Sequence, residues 1–345
     1  MGLMESKTDV RAVLKHATDL VQSGLWDDAI HLLTESNQQE ENAKIETRLV
    51  KLRHLAFDEI DRPATAHPWP KPVRDHFPDV STIPEIPASE LSVELVASAI
   101  QYHGSIIVRG MFDTEASERF RQSIDEAFAG AAAVAGKPVF DPSPWYTHFV
   151  QRKDKGYEFG GMERHFVTLG GGVLAVDSPR ALFRYLDSLA AVGIDKFLYE
   201  YFGERPALSA KKSTLRRTPP DAPAGWHQDG AYYNAPVRAL NIWAAFSRCG
   251  VEAPSIDIFP RRFDDLVETG GPGIVDDAIS DETAARCGIA SVERPVFEPG
   301  DALLFDEMAL HRTGVDKTMT ETRYAIEMWF FAASMFPHQQ VPLYL

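Results

Sequence analysis

The sequence is poor in cysteine. Its two cysteines, Cys249 and Cys287, lie 38 positions apart, and neither belongs to a CxxC pair or to a cluster of cysteine and histidine. This spacing argues against a disulfide framework, a structural zinc site and dithiol redox chemistry. We therefore expect a reduced, intracellular protein, with the cytoplasm as its location.

Basic residues are scarce relative to acidic ones. The chain has 35 Lys and Arg against 50 Asp and Glu, which gives a formal net charge of -15 at pH 7. Such a surface repels phosphate backbones and anionic lipid. No apolar run approaches the ~18 residues that a membrane span requires. The sequence therefore argues against nucleic-acid and membrane partners.

What the chain does have is the composition of a globular protein. Of its 345 residues, 44% are hydrophobic and 10% are aromatic, which is enough to bury a sizeable core. At roughly 100–200 residues per domain, we expect one large domain and a small one.

The N-terminal residues 1–60 form the small unit, in which apolar residues recur at helical spacing. The stretch "SGLWDDAIHLL" resembles a tetratricopeptide-like helical hairpin, with matching residues at Gly24, Trp26, Ala29 and Ile30. A single hairpin cannot bury its own apolar face. We expect it to be a cap at an interface with the main domain or with a second subunit; the alternative is a docking module.

Residues 61–93 form a connector with seven prolines between Pro63 and Pro87. Proline at this density excludes helices and central strands, so the connector should be extended. In residues 94–345, helical patterns come first and short strand-like segments follow from about residue 207. This order predicts an α+β fold in which a β-barrel or jelly roll forms the C-terminal half.

The stretch "WHQDG" contains a candidate metal motif. On a strand, His227 and Asp229 would point to one face, because residues i and i+2 do so. The best third ligand is His311 in "FEPGDALLFDEMALHRTG", after a turn and an apolar strand. Two imidazoles and one carboxylate suit non-haem Fe(II) enzymes that activate oxygen, whereas zinc with these ligands would suit hydrolysis.

The segment that follows favours iron. It places Thr313 two residues beyond the histidine and Arg323 at the start of a strongly apolar strand. A guanidinium near a buried strand needs an anionic partner, and a planar carboxylate satisfies it best through two parallel hydrogen bonds. A metal-binding dicarboxylate would satisfy both the iron and Arg323.

With these motifs in order, residues from about 100 to 333 resemble the phytanoyl-CoA dioxygenase-like family of Fe(II)/2-oxoglutarate oxygenases. The resemblance rests on "HGSIIVRGMFD", "STLRRTPPDAPAGWHQDG", "NIWAAF", "FEPGDALLFDEMALHRTG" and "TETRYA". It implies a double-stranded β-helix, which is a cupin-type jelly roll, with flanking helices and the N-terminal helical segment.

The resemblance also implies site residues and cofactors. Fe(II), 2-oxoglutarate and O2 are the implied cofactors, and succinate and CO2 are the implied products of oxidising a substrate C–H bond. The implied iron ligands are His227, Asp229 and His311, and the implied cosubstrate residues are Arg323, Thr313, Trp243 and Thr214. The chain departs from the family at Thr218, where the family usually has lysine.

The substrate is less defined by the sequence. Residues 141–166 are rich in aromatic and basic side chains and precede the barrel, where the family places loops that cover the substrate. Candidate substrate residues there are Trp145, Tyr146, Arg152 and Arg164; the alternative is solvated surface charge. A small molecule is the expected substrate. The rival hypotheses are the same chemistry on a protein substrate, and a metal-binding cupin that is not an oxygenase.

Overall fold

The structure is a computed structural model that describes residues 9–136, 143–223, 225–233, 236–269, 278–288 and 292–345. The start of the predicted N-terminal unit and residues 141 and 142 of the predicted substrate segment lie outside the described residues. Within the described ranges, the structure contains no helix whose length and apolar character would let it cross a lipid bilayer.

The N-terminal unit contains three helices, one more than the predicted hairpin. They are α1 (Val10–Gln22), α2 (Trp26–Gln39) and α3 (Ala43–Ala56). Asp9 caps α1 by accepting hydrogen bonds from two backbone amides of the first turn. Gly24, at a φ of +77°, adopts the left-handed conformation between α1 and α2. The predicted helical character is confirmed, and the tetratricopeptide likeness stays a prediction.

These three helices share the core of the rest of the chain. The buried side chain of Leu49 in α3 belongs to the same apolar cluster as sheet residues such as Ile326. The Glu46 carboxylate accepts a hydrogen bond from Arg180 at 2.8 Å, and His54 Nδ1 lies 2.9 Å from the backbone oxygen of Pro342. These contacts pack the three helices against the rest of the chain.

Most of the remaining helices cover one side of a large sheet, whereas the last and shortest packs beside Trp226 and Phe259. They are α4 (Val93–His103), α5 (Thr114–Val134), α6 (Gly161–Leu169), α7 (Pro179–Ala191), α8 (Ile194–Phe202) and the short α9 (Asp281–Arg286). Ser92 and Asp113 cap α4 and α5 with their side chains. The helical patterns expected before about residue 207 are confirmed, whereas α9 lies in the part of the chain where strands were expected.

The strands form one large sheet and one small sheet. In chain order they are β1 (Glu85–Pro87), β2 (Ser105–Arg109), β3 (Gly172–Leu174), β4 (Pro206–Ser209), β5 (Thr214–Thr218), β6 (Ala239–Ala245), β7 (Ser255–Ile258), β8 (Ala302–Phe305), β9 (His311–Gly314), β10 (Arg323–Ala332) and β11 (Pro342–Tyr344). The large sheet has the order β1-β2-β8-β6-β10-β4-β11, with β5 pairing with both β10 and β3. The connector contributes β1, which among the described residues pairs with β2 alone and so lies at the edge, where proline is tolerated.

The small sheet consists of β7 and β9, and isolated bridges extend it. His227 bridges to His311, and Ile258 bridges to Glu293. Between the two sheets lies an apolar core with Trp243 and Trp329 from the large sheet and Ile256 from the small one. Two sheets facing each other across a common core are the arrangement predicted for the jelly roll.

Alternation along the strands explains the two faces of the large sheet. In β6, Trp243 faces the core between the sheets, whereas its neighbour Ile242 belongs to the cluster shared with the helices. In β8, Leu303 likewise faces the core between the sheets, and Leu304 belongs to the cluster shared with the helices. Because successive side chains of a strand point to opposite faces, strands covered on both sides must be apolar throughout. The α+β prediction is therefore confirmed, with helices covering one face of the sheet.

Candidate metal centre

Two histidines lie side by side because their backbones are paired. His227 N donates to the backbone oxygen of His311 at 3.0 Å, and His311 N donates to that of His227 at 3.1 Å. The centroids of the two imidazole rings are 4.3 Å apart. Asp229 follows at the start of a 3-10 turn, Asp229–Tyr232, rather than on a regular strand as the sequence suggested. The backbone nevertheless brings all three side chains together.

Each side chain of this group has one ligand atom free. The carbonyl oxygen of Gly225 accepts from His227 Nδ1 at 2.9 Å, and that of Ala309 accepts from His311 Nδ1 at 3.0 Å. A carbonyl oxygen can only accept, so each ring carries its proton on Nδ1 and leaves the Nε2 lone pair exposed. His311 Nε2 lies 3.6 Å from Asp229 Oδ2.

The two oxygens of Asp229 are divided between different neighbours. Oδ1 accepts a hydrogen bond from the ammonium of Lys212, whereas the buried Oδ2 has no hydrogen-bond partner. Ligand atoms of Asp229, His227 and His311 all lie within 4.8 Å of one another. A buried carboxylate oxygen without a partner is costly. A divalent cation between Oδ2 and the two Nε2 atoms would remove that cost.

The electrostatics of the group suit a cation. Burial, reinforced by the neighbouring His311, lowers the pKa of His227 to about 4, so this imidazole is neutral at pH 7. Burial opposes the ionisation of Asp229, but Lys212 and the two imidazoles outweigh that effect and lower its pKa to about 2. Neutral imidazole and ionised carboxylate are the forms that coordinate metals.

A cavity of about 470 Å³ lies beside the group. Its lining includes His227, Asp229, Thr214 and Thr313. Of the four residues predicted for the cosubstrate, the structure therefore places Thr214 and Thr313 at the cavity wall next to the metal group.

The other two predicted cosubstrate residues do not line this cavity. Arg323 is buried, and its Nη1 and Nη2 donate to the backbone oxygen of Ser255 at 2.6 Å and to Thr218 Oγ1 at 3.0 Å. Trp243 lies in the core with its ring centroid 5.2 Å from the Arg323 guanidinium carbon. The interaction with Thr218 involves the position at which the chain departs from the family pattern.

Arg323 lacks the anionic partner that a buried guanidinium requires. Its Nε has no hydrogen-bond partner, and among the described residues no carboxylate forms an ion pair with it. Burial lowers the pKa of Arg323 to about 10, which still leaves it charged at pH 7. The carboxylate of Glu327, four residues along the same face of β10, is instead bound by Arg216 at 2.9 Å. Glu327 is therefore paired within the protein and does not balance the charge of Arg323.

Sequence reasoning missed Lys212 and Arg216. Both line the cavity. Lys212 forms an ion pair with Asp229, and Arg216 forms one with Glu327. The signal available was strand parity, because Arg216 lies two residues after Thr214 and therefore shares its face. Three further lining residues, Phe166, Leu169 and Tyr232, lie on α6 and on the turn after Asp229.

The structure does not bring the two basic candidate substrate residues to this cavity. Arg152 forms ion pairs with Glu59 at 2.6 Å and with Asp154 at 2.8 Å. Arg164 forms one with the buried Asp177 at 2.6 Å. Neither arginine lines the cavity, and the charge of each is matched by a carboxylate elsewhere in the protein.

The two aromatic candidates also lie away from the cavity. The ring centroid of Trp145 is 5.1 Å from the guanidinium carbon of Arg184 in α7. Tyr146 is buried, with its ring 5.5 Å from that of His148. Neither Trp145 nor Tyr146 belongs to the lining of the cavity at the metal group.

No protein-family model matches the chain, and no curated protein matches its sequence. Three solved structures illustrate its structural likenesses. EctD from S. alaskensis with 2-oxoglutarate and 5-hydroxyectoine is 13% identical, with 69% of this chain and 75% of that chain covered and a TM-score of 0.49. The same protein with bound Fe is 14% identical, with 69% and 76% covered and a TM-score of 0.47. EvdO2 from Micromonospora carbonacea var. aurantiaca, complexed with 2-oxoglutarate, is 15% identical, with 72% and 90% covered and a TM-score of 0.43. Likenesses at this level carry no argument about the activity of this chain.

Proposed function

We propose that the protein is an Fe(II)- and 2-oxoglutarate-dependent oxygenase of the phytanoyl-CoA dioxygenase-like type. Its reaction would hydroxylate, or otherwise oxidise, an unactivated C–H bond of a small molecule. The observation that carries the proposal is the coexistence of two features: a His227, Asp229 and His311 group with three free ligand atoms, and a buried Arg323 without a carboxylate partner.

The first feature supports a metal with open coordination positions. Two imidazole nitrogens and one carboxylate oxygen form the facial donor set of non-haem Fe(II) enzymes. The hydrogen bonds from His227 and His311 to backbone carbonyls fix the ring orientations, as is usual for metal-binding histidines. His227 and Asp229 line the cavity, so a ligand within it would lie next to the metal group.

The second feature supports a dicarboxylate cosubstrate. A dicarboxylate cosubstrate would give the buried guanidinium of Arg323 a partner, because its distal carboxylate could pair with the unsatisfied Nε. Thr218 and the backbone oxygen of Ser255 orient Arg323, and Trp243 packs against its guanidinium. Thr313, on the strand that begins with His311, adds a hydroxyl at the cavity wall.

Iron and 2-oxoglutarate, when bound, supply the oxidative chemistry, in which O2 is consumed and succinate and CO2 are released. The protein contributes the positions of the donors, the counter-charge at Arg323 and a cavity large enough for a small molecule. A volume of about 470 Å³ lies within the range of small-molecule sites.

The test is succinate formation from 2-oxoglutarate under O2 by Fe(II)-loaded protein, measured together with 2-oxoglutarate binding. We expect the wild type to bind 2-oxoglutarate only with metal present and to release succinate. His311→Ala should lose both properties. His103→Ala is the matched control. His103, at the end of α4, is also buried, and its Nε2 lies 3.4 Å from a carboxylate oxygen of Asp75.

A metal-loaded wild type that neither binds nor consumes 2-oxoglutarate would contradict the proposal. In that case the metal-only cupin would become the better interpretation. Equal loss of activity in His311→Ala and His103→Ala would indicate a folding defect and would remove the support for His311 as a ligand.

A further inference from the structure

We propose that the substrate of this site is a singly anionic molecule with an apolar body. Lys212 would bind the anionic group beside the metal, and Phe166 and Leu169 of α6 would contact the apolar body. This inference rests on the proposed function, and it names the class of substrate that the site accepts.

Lys212 is held at the centre of the site by its backbone and by its side chain. It lies in the turn between β4 and β5, where its backbone amide donates to Ser209 Oγ at 3.0 Å. Its ammonium donates to Asp229 Oδ1 and lies 4.3 Å from the ring centroid of Tyr232. Lys212 lines the cavity, so an anion that enters can reach the ammonium.

The other two cations that line the cavity already have carboxylate partners of their own. Lys211 pairs with Glu163 at 2.9 Å, and Arg216 pairs with Glu327 at 2.9 Å. Neither of these carboxylates belongs to the metal group. Both pairs can therefore persist when metal and cosubstrate are bound, and neither leaves an unmatched charge.

The position of Lys212 is different because its partner is a metal ligand. The two positive charges of the metal would be balanced by Asp229 and by the carboxylate of 2-oxoglutarate that binds the metal. The distal carboxylate would balance Arg323. Lys212 is then the one lining cation, among the described residues, whose charge has no equivalent negative charge. An ammonium facing a largely apolar cavity favours an anionic ligand.

An apolar surface leads to this cavity. Met162, Phe166 and Leu169 occupy positions i, i+4 and i+7 of α6, so they form one stripe on the helix. Their exposed fractions are 78%, 59% and 62%, although all three side chains are large and hydrophobic. Phe166 and Leu169 also line the cavity. Contiguous apolar surface next to a site is typical of ligand contact.

The cation and the stripe together specify an amphiphilic anion. A second copy of this chain could cover the stripe, but it would leave the charge of Lys212 unmatched. Because Lys212 contacts a metal ligand, the anionic group would lie close to the metal. The oxidised C–H bond would therefore be only a few bonds from that group.

The experiment measures the binding of four probes to protein loaded anaerobically with Co(II) and 2-oxoglutarate. The probes are octanoate, 1-octanol, octylammonium and butyrate, which separate the effect of charge from that of chain length. We expect octanoate to bind about tenfold or more tightly than 1-octanol, since a hydrogen bond to a charged group adds at least that factor. Octylammonium should bind more weakly than 1-octanol, and butyrate more weakly than octanoate.

Variants assign these effects to residues. Lys212→Met should remove the preference for octanoate over 1-octanol, and Lys212→Arg should keep it. The matched control is Lys211→Met combined with Glu163→Gln, which removes both charges of an ion pair in the cavity wall and should leave the preference unchanged. Phe166→Ser combined with Leu169→Ser should weaken octanoate and 1-octanol by the same factor, about tenfold.

Paramagnetic relaxation gives the orientation of the probe. In Co(II) protein compared with Zn(II) protein, the methylene next to the octanoate carboxylate should relax faster than the terminal methyl group. Faster relaxation of the methyl group would place the anion away from the metal and would overturn the assignment to Lys212. Equal binding of octanoate and 1-octanol by the wild type, or a preference that survives in Lys212→Met, would overturn it as well.

Two further measurements distinguish this inference from a failure of the proposed function and from a subunit interface at the stripe. Binding of 2-oxoglutarate alone is measured in the same preparations, so a failure of the proposed function is seen before any probe is added. The oligomeric state is measured by sedimentation. If the Phe166 and Leu169 double variant dissociates a dimer without changing octanoate affinity, the stripe is a subunit interface and the apolar part of the inference is wrong.

Discussion

Replacement of Arg323 by methionine should separate the stability of the protein from its response to 2-oxoglutarate. Burial lowers the pKa of Arg323 to about 10, and at 1.4 kcal/mol per pH unit this corresponds to about 3 kcal/mol of cost for the charged form. The substitution removes that cost, but it also removes the hydrogen bonds to Ser255 and Thr218, which lowers the stability by about 1.5–3 kcal/mol for each bond. The free energy of unfolding without cosubstrate should therefore change by no more than about 3 kcal/mol.

The response to cosubstrate should change much more. At 2-oxoglutarate concentrations of about 100 times its Kd, binding stabilises the wild type by about 2.7 kcal/mol. Removal of one partner of a buried charge pair costs about 2–5 kcal/mol of binding energy, which raises Kd roughly thirtyfold or more. The stabilisation of Arg323→Met at the same concentration should fall to about 0.9 kcal/mol or less. Arg323→Lys should recover only part of it, since an ammonium keeps the charge but not the planar fork.

The assay is urea unfolding of protein loaded with a redox-inert divalent metal, with and without 2-oxoglutarate. Arg53→Met is the matched control, because burial also lowers the pKa of Arg53 to about 10 and its Nε also lacks a partner. Arg53 donates to the backbone oxygen of Tyr344 at 3.0 Å and does not line the cavity at the metal group. An Arg323→Met variant that keeps the full stabilisation by 2-oxoglutarate would refute the role of Arg323.

Two further predictions concern stability. Burial, together with the neighbouring Asp306, raises the pKa of Glu307 to about 8, so the folded metal-free protein holds a proton that the unfolded chain releases near pH 4.5. The stabilisation from this proton is lost as pH rises toward 8, so the wild type becomes less stable over that range. Glu307→Gln has no such proton and should gain stability relative to the wild type by up to about 1.4 kcal/mol per pH unit. The measurement is urea unfolding between about pH 5 and 8. A constant difference across that range would contradict the assigned protonation. Leu49→Ala in α3 should lower the free energy of unfolding of the whole protein by about 2–5 kcal/mol in a single transition, whereas the exposed Leu25→Ala should have little effect. A separate early transition for the N-terminal helices would show that they do not share the core.

Periodicity in the sequence predicted the helices and strands that have local signals. The 3.6-residue pattern of apolar residues was sufficient for α4 and α5, and the structure adds the caps at Ser92 and Asp113. The strand-like pattern that begins at about residue 207 shows no break before residue 218, but the structure divides this stretch into β4 and β5. The backbone amide of Ala210, after β4, donates to the carbonyl of Val341 near the C-terminal strand. That pairing spans more than a hundred residues and leaves no local signal.

The same break explains why Lys212 was missed. The turn after β4 directs Lys212 toward Asp229, and neither residue's neighbours in sequence indicate that contact. Conversely, the aromatic and basic composition around residue 150 suggested substrate contacts. There, ion pairs of Arg152 with Glu59 and of Arg164 with Asp177 satisfy those charges within the protein. Composition reports which charges are present, and the fold decides which of them remain unmatched.

The central claim concerns a metal held by His227, Asp229 and His311 that also binds a 2-oxo acid. The most direct measurement is the visible absorption of the anaerobic protein with Fe(II) and 2-oxoglutarate, with iron content determined in parallel. We expect the weak charge-transfer band of a chelated 2-oxo acid in the wild type and its absence in His227→Ala and His311→Ala. A wild type that binds iron but shows no band at saturating 2-oxoglutarate, or a histidine variant that keeps full iron stoichiometry and the band, would contradict the claim.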